Sequence, residues 1–246
     1  MNGNFNQPMV DECAQMGAGV EIASFAIVKA GAVLGDGVKV DHFSVIGGDP
    51  QFLGFDTSLS TGVRIGRGTV IREGVTINRS THEGEFTEIG EKCFFMANSH
   101  VAHDCVVGNN VILANGVLLG GHVTVGDNVF FGGNAAIQQR TRIGEGAIIA
   151  GLARMTIDVP PFVMTGTDNN LAGLNLIGLK RRGFTAEEIS DIKRCYRAVY
   201  LSKELGGPVA KATAALANGL STTARGKQFL EFFTESEGRK FARPRH

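Results

Sequence analysis

Three of the six histidines lie in one stretch near the middle of the chain, and one of them precedes an aspartate. They are His100, His103 and His122, and Asp104 directly follows His103. A neutral imidazole can take a proton from a substrate hydroxyl near pH 7, because its intrinsic pKa is about 6.5. A backbone N–H at a glycine corner could hold the oxyanion of an acyl-transfer intermediate. The cluster therefore suits acyl transfer to a hydroxyl.

Two other interpretations of the same histidines remain. Each could be an ordinary surface residue, which is the simplest interpretation for a lone histidine. A metal site is the second, with His100 and His103 as a close pair, His122 downstream, and His82 and His42 as upstream ligands. Because three histidines share one neighbourhood with an acid, we favour proton transfer, with no metal and no cofactor. The chain has no Gly-x-Ser-x-Gly elbow and no catalytic cysteine motif, so a covalent acyl-enzyme is not favoured.

A six-residue period in the sequence indicates the kind of structure that carries these residues. An apolar residue recurs at every sixth position with two interruptions, and Gly or Ala very often follows it. The series begins Val10, Met16, Ile22, Val28, Leu34, Val40, Ile46, resumes at Ile65, Ile71, Ile77, and ends Ile89, Phe95, Val101, Val107, Leu113, Leu119, Val125, Phe131, Ile137, Ile143, Ile149, Met155. The period predicts an all-β fold, a left-handed parallel β-helix of hexapeptide repeats with three hexads in each 18-residue coil.

Stacking of successive coils places distant residues side by side. His103 stacks below Gly121 and Gln139, and Asp104 stacks below His122 and Arg140. Neighbouring coils of a β-helix lie about 4.8 Å apart. We therefore expect one edge of three successive coils to present His103, Asp104, Gly121, His122, Gln138, Gln139 and Arg140, with His100 just before it.

The sequence divides into two parts. Residues 1–160 are predicted to form the β-helix, with loops 48–63 and 83–88 extruded, and the prolines at 160 and 161 end it because proline cannot continue a strand ladder. Residues 161–246 are predicted to form a connector and a small C-terminal α-helical domain. Thr185 and Glu188 form a capping-box pattern at the start of one helix, and two more helices are expected around 208–218 and 224–234.

Composition narrows the class of protein. The formal net charge is zero. Residues 1–169 carry 10 Lys and Arg against 17 Asp and Glu, whereas residues 170–246 carry 14 against 7. The basic tail is either a solvated surface or a docking face for an acidic partner. Basic and aromatic residues do not alternate as in nucleic-acid binders, and we predict no membrane-spanning segment and no signal peptide. The four cysteines lack a C-x-x-C spacing, so reduced thiols and a cytoplasmic location are expected.

Several motifs resemble one family. The segment Phe95-Met-Ala-Asn-Ser-His-Val-Ala-His-Asp-Cys105, with its H-x-x-H-D-C motif, is similar to the active-site segment of the UDP-N-acetylglucosamine acyltransferases that begin lipid A synthesis. Gly178-Leu-Lys-Arg-Arg-Gly-Phe184 also looks like that family, as do the stretches 71–79, 113–122 and 158–161. The resemblance runs from about residue 10 to residue 205.

The resemblance implies a reaction and a set of roles. A 3-hydroxyacyl group would pass directly from acyl carrier protein to the 3-hydroxyl of the sugar, with His103 as general base and Asp104 as its orienting partner. The Gly121 N–H would bind the oxyanion. Gly151 would limit the acyl chain length. The family is a homotrimer, which implies clefts between chains, and acyl carrier protein is the acidic partner that suits the basic tail. The implied substrate contacts are His100, His122, Gln138, Gln139, Asn78 and Arg79, with Asn175, Arg181 and Arg182 reaching the nucleotide across a subunit boundary.

The chain departs from the family pattern around the acceptor. The first loop reads Gln51-Phe-Leu-Gly54 where the family has Q-D-L-K, and Asn78, Gln138 and Ile177 replace two histidines and a glutamate. Two alternatives therefore stay open: an acyltransferase acting on a different nucleotide sugar, including an amino sugar, and a non-catalytic trimeric β-helix that binds nucleotide sugars.

Overall fold

Short parallel strands build a three-faced prism in this computed structural model, which describes residues 7–203, 205–235 and 238–244. Each face is one sheet, and the chain visits the three faces in turn. Face 1 contains β1 (Met9–Val10), β4 (Ile27–Val28), β7 (Val45–Gly48), β10 (Thr76–Asn78), β13 (His100–Val101), β16 (Leu118–Leu119), β19 (Ala136–Ile137) and β22 (Arg154–Met155). Face 2 contains β2 (Gln15–Met16), β5 (Ala32–Leu34), β8 (Gly62–Ile65), β11 (Phe86–Ile89), β14 (Val106–Val107), β17 (Thr124–Val125) and β20 (Arg142–Ile143). Face 3 begins with β3 (Glu21–Ile22), β6 (Lys39–Val40), β9 (Val70–Ile71), β12 (Phe94–Phe95), β15 (Ile112–Leu113), β18 (Phe130–Phe131) and β21 (Ile148–Ile149).

The hexad residues form the core, as the sequence predicts. Val101 pairs with Leu119, which pairs with Ile137, so each hexad residue stacks on its counterpart in the next coil. All three side chains are buried. At the N-terminal end the same positions are open: Val10 is 43% exposed and Met16 is 38% exposed, because no coil lies below them among the described residues.

Many corners turn through a residue with positive φ, and the residue types differ between the edges of the prism. Edge 1–2, between faces 1 and 2, has Gly31, Asp104, His122 and Arg140 in this conformation. Edge 2–3 has Gly19, Gly37, Gly68, Lys92, Asn110, Asn128 and Gly146, and edge 3–1 has Phe25, Phe43, Gly74, Asn98, Gly116, Asn134 and Leu152. Edge 1–2 is therefore the edge that carries titratable side chains at several of these positions.

The two predicted interruptions need correction. The first, predicted at 48–63, is a loop over 49–61, because Gly48 belongs to β7 and Gly62 to β8. The second, predicted at 83–88, is wrong for 86–88, which belong to β11 and pair with β8. The extra residues instead lie between β10 and β11, over 79–85.

The region after Pro161 is not a bare connector. Strands β23 (Val163–Thr165), β24 (Asn170–Leu174) and β25 (Arg243–Pro244) extend face 3. The helices are α1 (Leu176–Arg181), α2 (Ala186–Tyr200), α3 (Pro208–Ala217) and α4 (Ala224–Thr234). The Thr185–Glu188 capping box and the two later helices are confirmed, whereas α1 was not predicted. The division at residue 160 stays a prediction, because face 3 continues across it.

Candidate active site

His103 and Asp104 form a hydrogen-bonded pair on edge 1–2, in the corner between β13 and β14. His103 Nδ1 lies 2.7 Å from Asp104 Oδ2. An ionised carboxylate only accepts, so we assign the proton to Nδ1, which leaves Nε2 as the ring acceptor. Both side chains are largely buried, at 18% and 8% exposed, yet the corner faces outward from the core. The pair is arranged so that Nε2 can take a proton from a bound hydroxyl.

Residues from the preceding coil hold Asp104. The Ser80 hydroxyl donates to Oδ1 at 2.5 Å, and Thr81 donates its hydroxyl to Oδ2 at 2.6 Å and its backbone N–H to Oδ1 at 3.0 Å. Burial raises the pKa of Asp104, but the hydrogen bonds from Ser80, Thr81 and His103 outweigh it and hold the pKa well below its usual range. Asp104 therefore stays ionised and keeps the imidazole in one orientation.

Gly121 lies directly against the imidazole of His103. A Cβ placed on Gly121 would be 2.6 Å from His103 Cε1 and 2.7 Å from Nε2, so a side chain here would displace the ring. The Gly121 N–H donates to no backbone acceptor in the part of the chain that the structure describes, unlike its neighbours Gly120 and His122. A free N–H beside the reacting nitrogen is what an oxyanion site requires.

His122 stacks one coil above Asp104, as the 18-residue spacing predicts. The centroids of the His122 and His103 rings are 5.1 Å apart, and the two ring planes are nearly perpendicular. His122 Nε2 is 3.6 Å from Asp104 Oδ2. Burial lowers the pKa of His122; the nearby negative Asp104 opposes the shift and positive Arg140 adds to it. His122 thus favours the neutral form and can donate or accept a hydrogen bond to substrate.

The remaining polar residues of the edge differ in exposure. His100 lies on face 1, where its Nδ1 is 2.7 Å from the Thr76 hydroxyl, and burial lowers its pKa. Gln138 and Gln139 are exposed on the coil above Gly121. The structure therefore brings together His100, His103, Asp104, Gly121, His122, Gln138 and Gln139, as the sequence predicts.

Two predicted contacts, Asn78 and Arg79, are engaged in holding loop 49–61. Asn78 is buried and donates to the carbonyl oxygens of Gly48 and Asp49. Arg79 forms an ion pair with Asp49, donates to two carbonyl oxygens of the loop, and lies over the Phe55 ring. Arg79 therefore anchors loop 49–61 in this chain, and its role as a substrate contact stays a prediction.

The predicted nucleotide contacts lie beyond the last coils. Asn175 is buried and caps α1: its Oδ1 accepts from Gly178, and its side-chain N–H donates to Gly146. Arg182 is half-buried and pairs with Glu145. Only Arg181 is exposed. Asn175 and Arg182 are thus used structurally within their own chain, and none of the three joins the cluster around His103.

Gly151 lies on a different edge from His103. It follows β21 on face 3 and precedes β22 on face 1, so it belongs to edge 3–1 and lies close to Gly133, one coil below. The step from position 103 to position 151 is two coils and two further hexads, which moves the position to another edge. Within one chain, His103 and Gly151 therefore lie on different edges, and the length-limiting role of Gly151 stays a prediction.

Several residues of this site carry no recognisable signal in the sequence. Ser80 and Thr81 gave no signal, because the enlarged turn at 79–85 breaks the 18-residue register: Thr76 pairs with His100, which is one hexad beyond a regular coil. Phe52 of loop 49–61 packs against His103 in an edge-to-face arrangement, with 5.8 Å between the two ring centroids. His82 Nδ1 lies 3.4 Å from Asp104 Oδ1, at the rim of the cluster.

A metal ion is the rival occupant of this corner, since ligand atoms of His103, Asp104 and His122 all lie within 4.8 Å of one another. Each oxygen of Asp104, however, already accepts two short hydrogen bonds from the chain. That arrangement favours an orienting carboxylate. A cavity of about 640 Å³ lies elsewhere, between the first strands of face 1 and loop 49–61. No histidine lines it, so it offers no imidazole as a general base, and edge 1–2 is the candidate active site.

None of the described helices has the length and apolar character to span a bilayer. Three family models match the chain: a hexapeptide model of bacterial transferases over residues 86–121, a hexapeptide repeat of succinyl-transferases over 122–151, and domain 2 of UDP-N-acetylglucosamine O-acyltransferases over 158–242. The prism and its His–Asp corner thus place the chain in the class of hexapeptide-repeat acyltransferases, which are enzymes.

Whole-chain comparisons identify the family. An acyl-[acyl-carrier-protein]–UDP-N-acetylglucosamine O-acyltransferase of Rhizobium etli is 38% identical, covering 92% of this chain and 83% of the relative. The solved UDP-N-acetylglucosamine acyltransferase of Bacteroides fragilis is 29% identical with a TM-score of 0.87, covering 99% of this chain and 100% of that one. The Campylobacter jejuni enzyme is 32% identical with a TM-score of 0.83, covering 97% and 98%. The chain belongs to the acyl-[acyl-carrier-protein]–UDP-N-acetylglucosamine O-acyltransferase family, and the predicted left-handed parallel β-helix is confirmed.

Proposed function

We propose that the chain transfers a 3-hydroxyacyl group from acyl carrier protein to the 3-hydroxyl of UDP-N-acetylglucosamine, in the first step of lipid A synthesis. The observation that carries the proposal is the His103–Asp104 pair with Gly121 packed against its ring, whose N–H has no backbone acceptor among the described residues. Family membership supports the donor and the acceptor, because the relatives are named for them.

The reaction follows from the geometry. His103 Nε2 takes the proton of the sugar 3-hydroxyl as its oxygen attacks the thioester carbonyl carbon. The tetrahedral intermediate carries its negative charge toward the Gly121 N–H. When the intermediate collapses, the C–S bond breaks, the ester remains on the sugar, and the proton on Nε2 passes to the departing sulfur. Asp104 stabilises the imidazolium between these two transfers.

We infer a homotrimer with the site between chains. One edge supplies the base and the oxyanion donor, but the predicted nucleotide contact Arg181 and the length-limiting Gly151 lie elsewhere on the same chain. A second chain that brought its edge 3–1 against edge 1–2 would place its Gly151 along the acyl chain. Light scattering should then give about three times the chain mass of 26.1 kDa, and a value near one chain mass at micromolar concentration would contradict shared sites. We place the reaction in the cytoplasm, where acyl carrier protein is found.

Product analysis tests the function. The protein is mixed with several UDP-sugars and a panel of acyl carrier protein thioesters, and the products are identified by mass spectrometry. An ester on UDP-N-acetylglucosamine is expected, formed from a 3-hydroxyacyl donor. An amide product, or reaction with another sugar only, would contradict the named acceptor while leaving acyl transfer intact. A chain that transfers nothing from any donor would contradict the enzyme assignment.

A further inference from the structure

A cationic cavity opens on edge 1–2, above the catalytic corner. It has a volume of about 280 Å³, and its lining includes Gln139, Arg140, Thr141, Arg239 and Lys240. Gln139 and Arg140 stack two coils above His103 and Asp104. The segment 238–240 closes one side, because Asp158 and Lys240 are joined through their backbones.

The net charge of this cavity is positive. Arg140 and Lys240 are exposed and form no ion pair with any residue in the described ranges. The one acid in the lining, Asp158, is buried and already bonded to both Arg142 and Arg239. Arg239 also donates to the carbonyl oxygen of Arg140, which fixes the backbone of the corner. Arg140 and Lys240 thus line a small polar cavity as two cations without an acidic partner among the described residues, which suits a phosphate group.

Arginines elsewhere near the ends of the prism are less available. Arg182 is paired with Glu145, which also accepts from Arg225 and Gln228. Burial lowers the pKa of Arg182, because its guanidinium lies away from solvent. A charged ligand would have to lose its own hydration to reach it. Arg79 is bound to loop 49–61. Among the described residues, Arg140 and Lys240 are therefore unpaired cations that lie above the base and line one cavity.

The distance from His103 to the cavity indicates which substrate supplies the phosphate that the cavity would bind. Two coils separate His103 from Gln139, about 10 Å along the axis. In a nucleoside diphosphate sugar, five and seven bonds separate the 3-hydroxyl oxygen from the two phosphorus atoms, about 6 Å and 9 Å. In a carrier-bound thioester, thirteen bonds separate the sulfur from the phosphorus of the prosthetic arm, about 16 Å when extended. The distance from His103 to the cavity therefore matches the diphosphate of the nucleotide sugar better than the phosphate of the extended prosthetic arm.

We propose that Arg140 and Lys240 bind the diphosphate of the nucleotide sugar from the same chain that supplies His103. The inference rests on the proposed function and specifies where its acceptor is held. It assigns the charge contacts to a position that the resemblance did not include, and it accounts for an arginine kept in a strained corner with φ of 65°. The sugar would then extend down the edge toward Nε2.

Two variants and a matched control test the assignment. Arg140→Gln and Lys240→Gln should each raise KM for the nucleotide sugar about 10-fold, and the double variant about 100-fold, because each removes one charge-assisted contact. We expect kcat and the KM for the acyl carrier thioester to change less than about twofold. Arg140→Lys should recover much of the loss. The control is Arg67→Gln, a paired arginine after face 2 that is far from this cavity.

Binding of UDP alone, measured by calorimetry, separates this inference from the reaction. Weaker UDP binding in Arg140→Gln, with an unchanged melting midpoint, supports the inference even if no acyl transfer is found. Unchanged UDP affinity in the double variant would overturn it. A rise confined to the KM of the acyl carrier thioester would also overturn it, since the phosphate bound would then be that of the prosthetic arm. Equal losses in Arg67→Gln would reduce the effect to general surface charge and overturn it.

Discussion

Edges 1–2 and 2–3 of the prism have the same corner geometry and very different residues in it. At edge 2–3 the positive-φ positions are Gly or Asn with one exception, Lys92. At edge 1–2 three successive coils place Asp104, His122 and Arg140 there. The left-handed conformation costs a residue with a Cβ about 1–2 kcal/mol. Edge 2–3 is therefore built for folding, whereas edge 1–2 accepts backbone strain to present reactive side chains.

Removing the base should have the largest effect on activity, because His103 is the residue of edge 1–2 that takes the proton. His103→Ala should lower kcat about 10²–10⁴-fold, the usual range for loss of a general base. The melting midpoint should change little, because the ring lies outside the prism core. His42→Ala, an exposed histidine on edge 3–1, is the control and should keep full activity. Most of the activity surviving in His103→Ala would rule out edge 1–2 as the catalytic edge.

A methyl group at Gly121 tests how closely the base is packed. Gly121→Ala should lower kcat about 10²-fold, because the Cβ displaces the His103 ring and crowds the oxyanion position. Gly207→Ala, outside the prism at the start of α3, is the control: a Cβ there would meet no atom within 4 Å, so activity should stay near that of the parent. Equal losses in both variants would mean that the effect does not come from packing against His103.

Corner strain can be measured on both edges. Lys92→Gly on edge 2–3 should raise the free energy of unfolding by about 1 kcal/mol and leave activity unchanged, since glycine adopts positive φ without a Cβ penalty. His122→Gly on edge 1–2 should gain a similar stability while losing activity. Urea unfolding and initial rates, measured on the same samples, test the pair. A destabilised His122→Gly would show that its contacts with Asp104 outweigh the strain.

The smallest effect expected is in the pH dependence of stability. The pKa of Asp104 is depressed in the folded protein, so its contribution is fully present above the unfolded pKa of about 4 and declines as the pH falls below that value toward the folded pKa. The stability difference between the parent and Asp104→Asn should therefore be constant from pH 8 to about pH 5 and shrink below about pH 4. A difference that already changed near pH 6 would point to the histidines instead.

The sequence was sufficient where one period governs the chain. The apolar hexads predicted the core, and the 18-residue spacing predicted the column of His103, Gly121 and Gln139. It was insufficient wherever an insertion resets the register. Ser80 and Thr81 reach Asp104 from an enlarged turn, and Phe52 reaches His103 from loop 49–61, and no fixed spacing links either to its partner.

Gly151 and the tail show two other limits. The edge on which Gly151 lies could have been predicted from the sequence, because the number of residues from His103 to Gly151 is not a multiple of the 18 residues in one coil. The use of Asn175 as a helix cap and of Arg182 as a partner of Glu145 depends on how α1 packs against the last coils. A polar side chain in a recognisable motif does not reveal whether its hydrogen bonds are spent inside its own chain.

The bond between Asp158 and Arg239 has a consequence for synthesis of the chain. Asp158 belongs to the last coils, but one of its two arginine partners is 81 residues further along, so it emerges from the ribosome much later. Until then a growing chain holds a nearly complete prism whose upper end has an acid that still lacks one of its partners. The segment 238–244 is therefore the last part of a newly made chain to pack against the prism. A chain whose translation stops before this segment should be degraded readily by proteases. Pulse-labelled chains ending at residue 235 should disappear faster than the full chain.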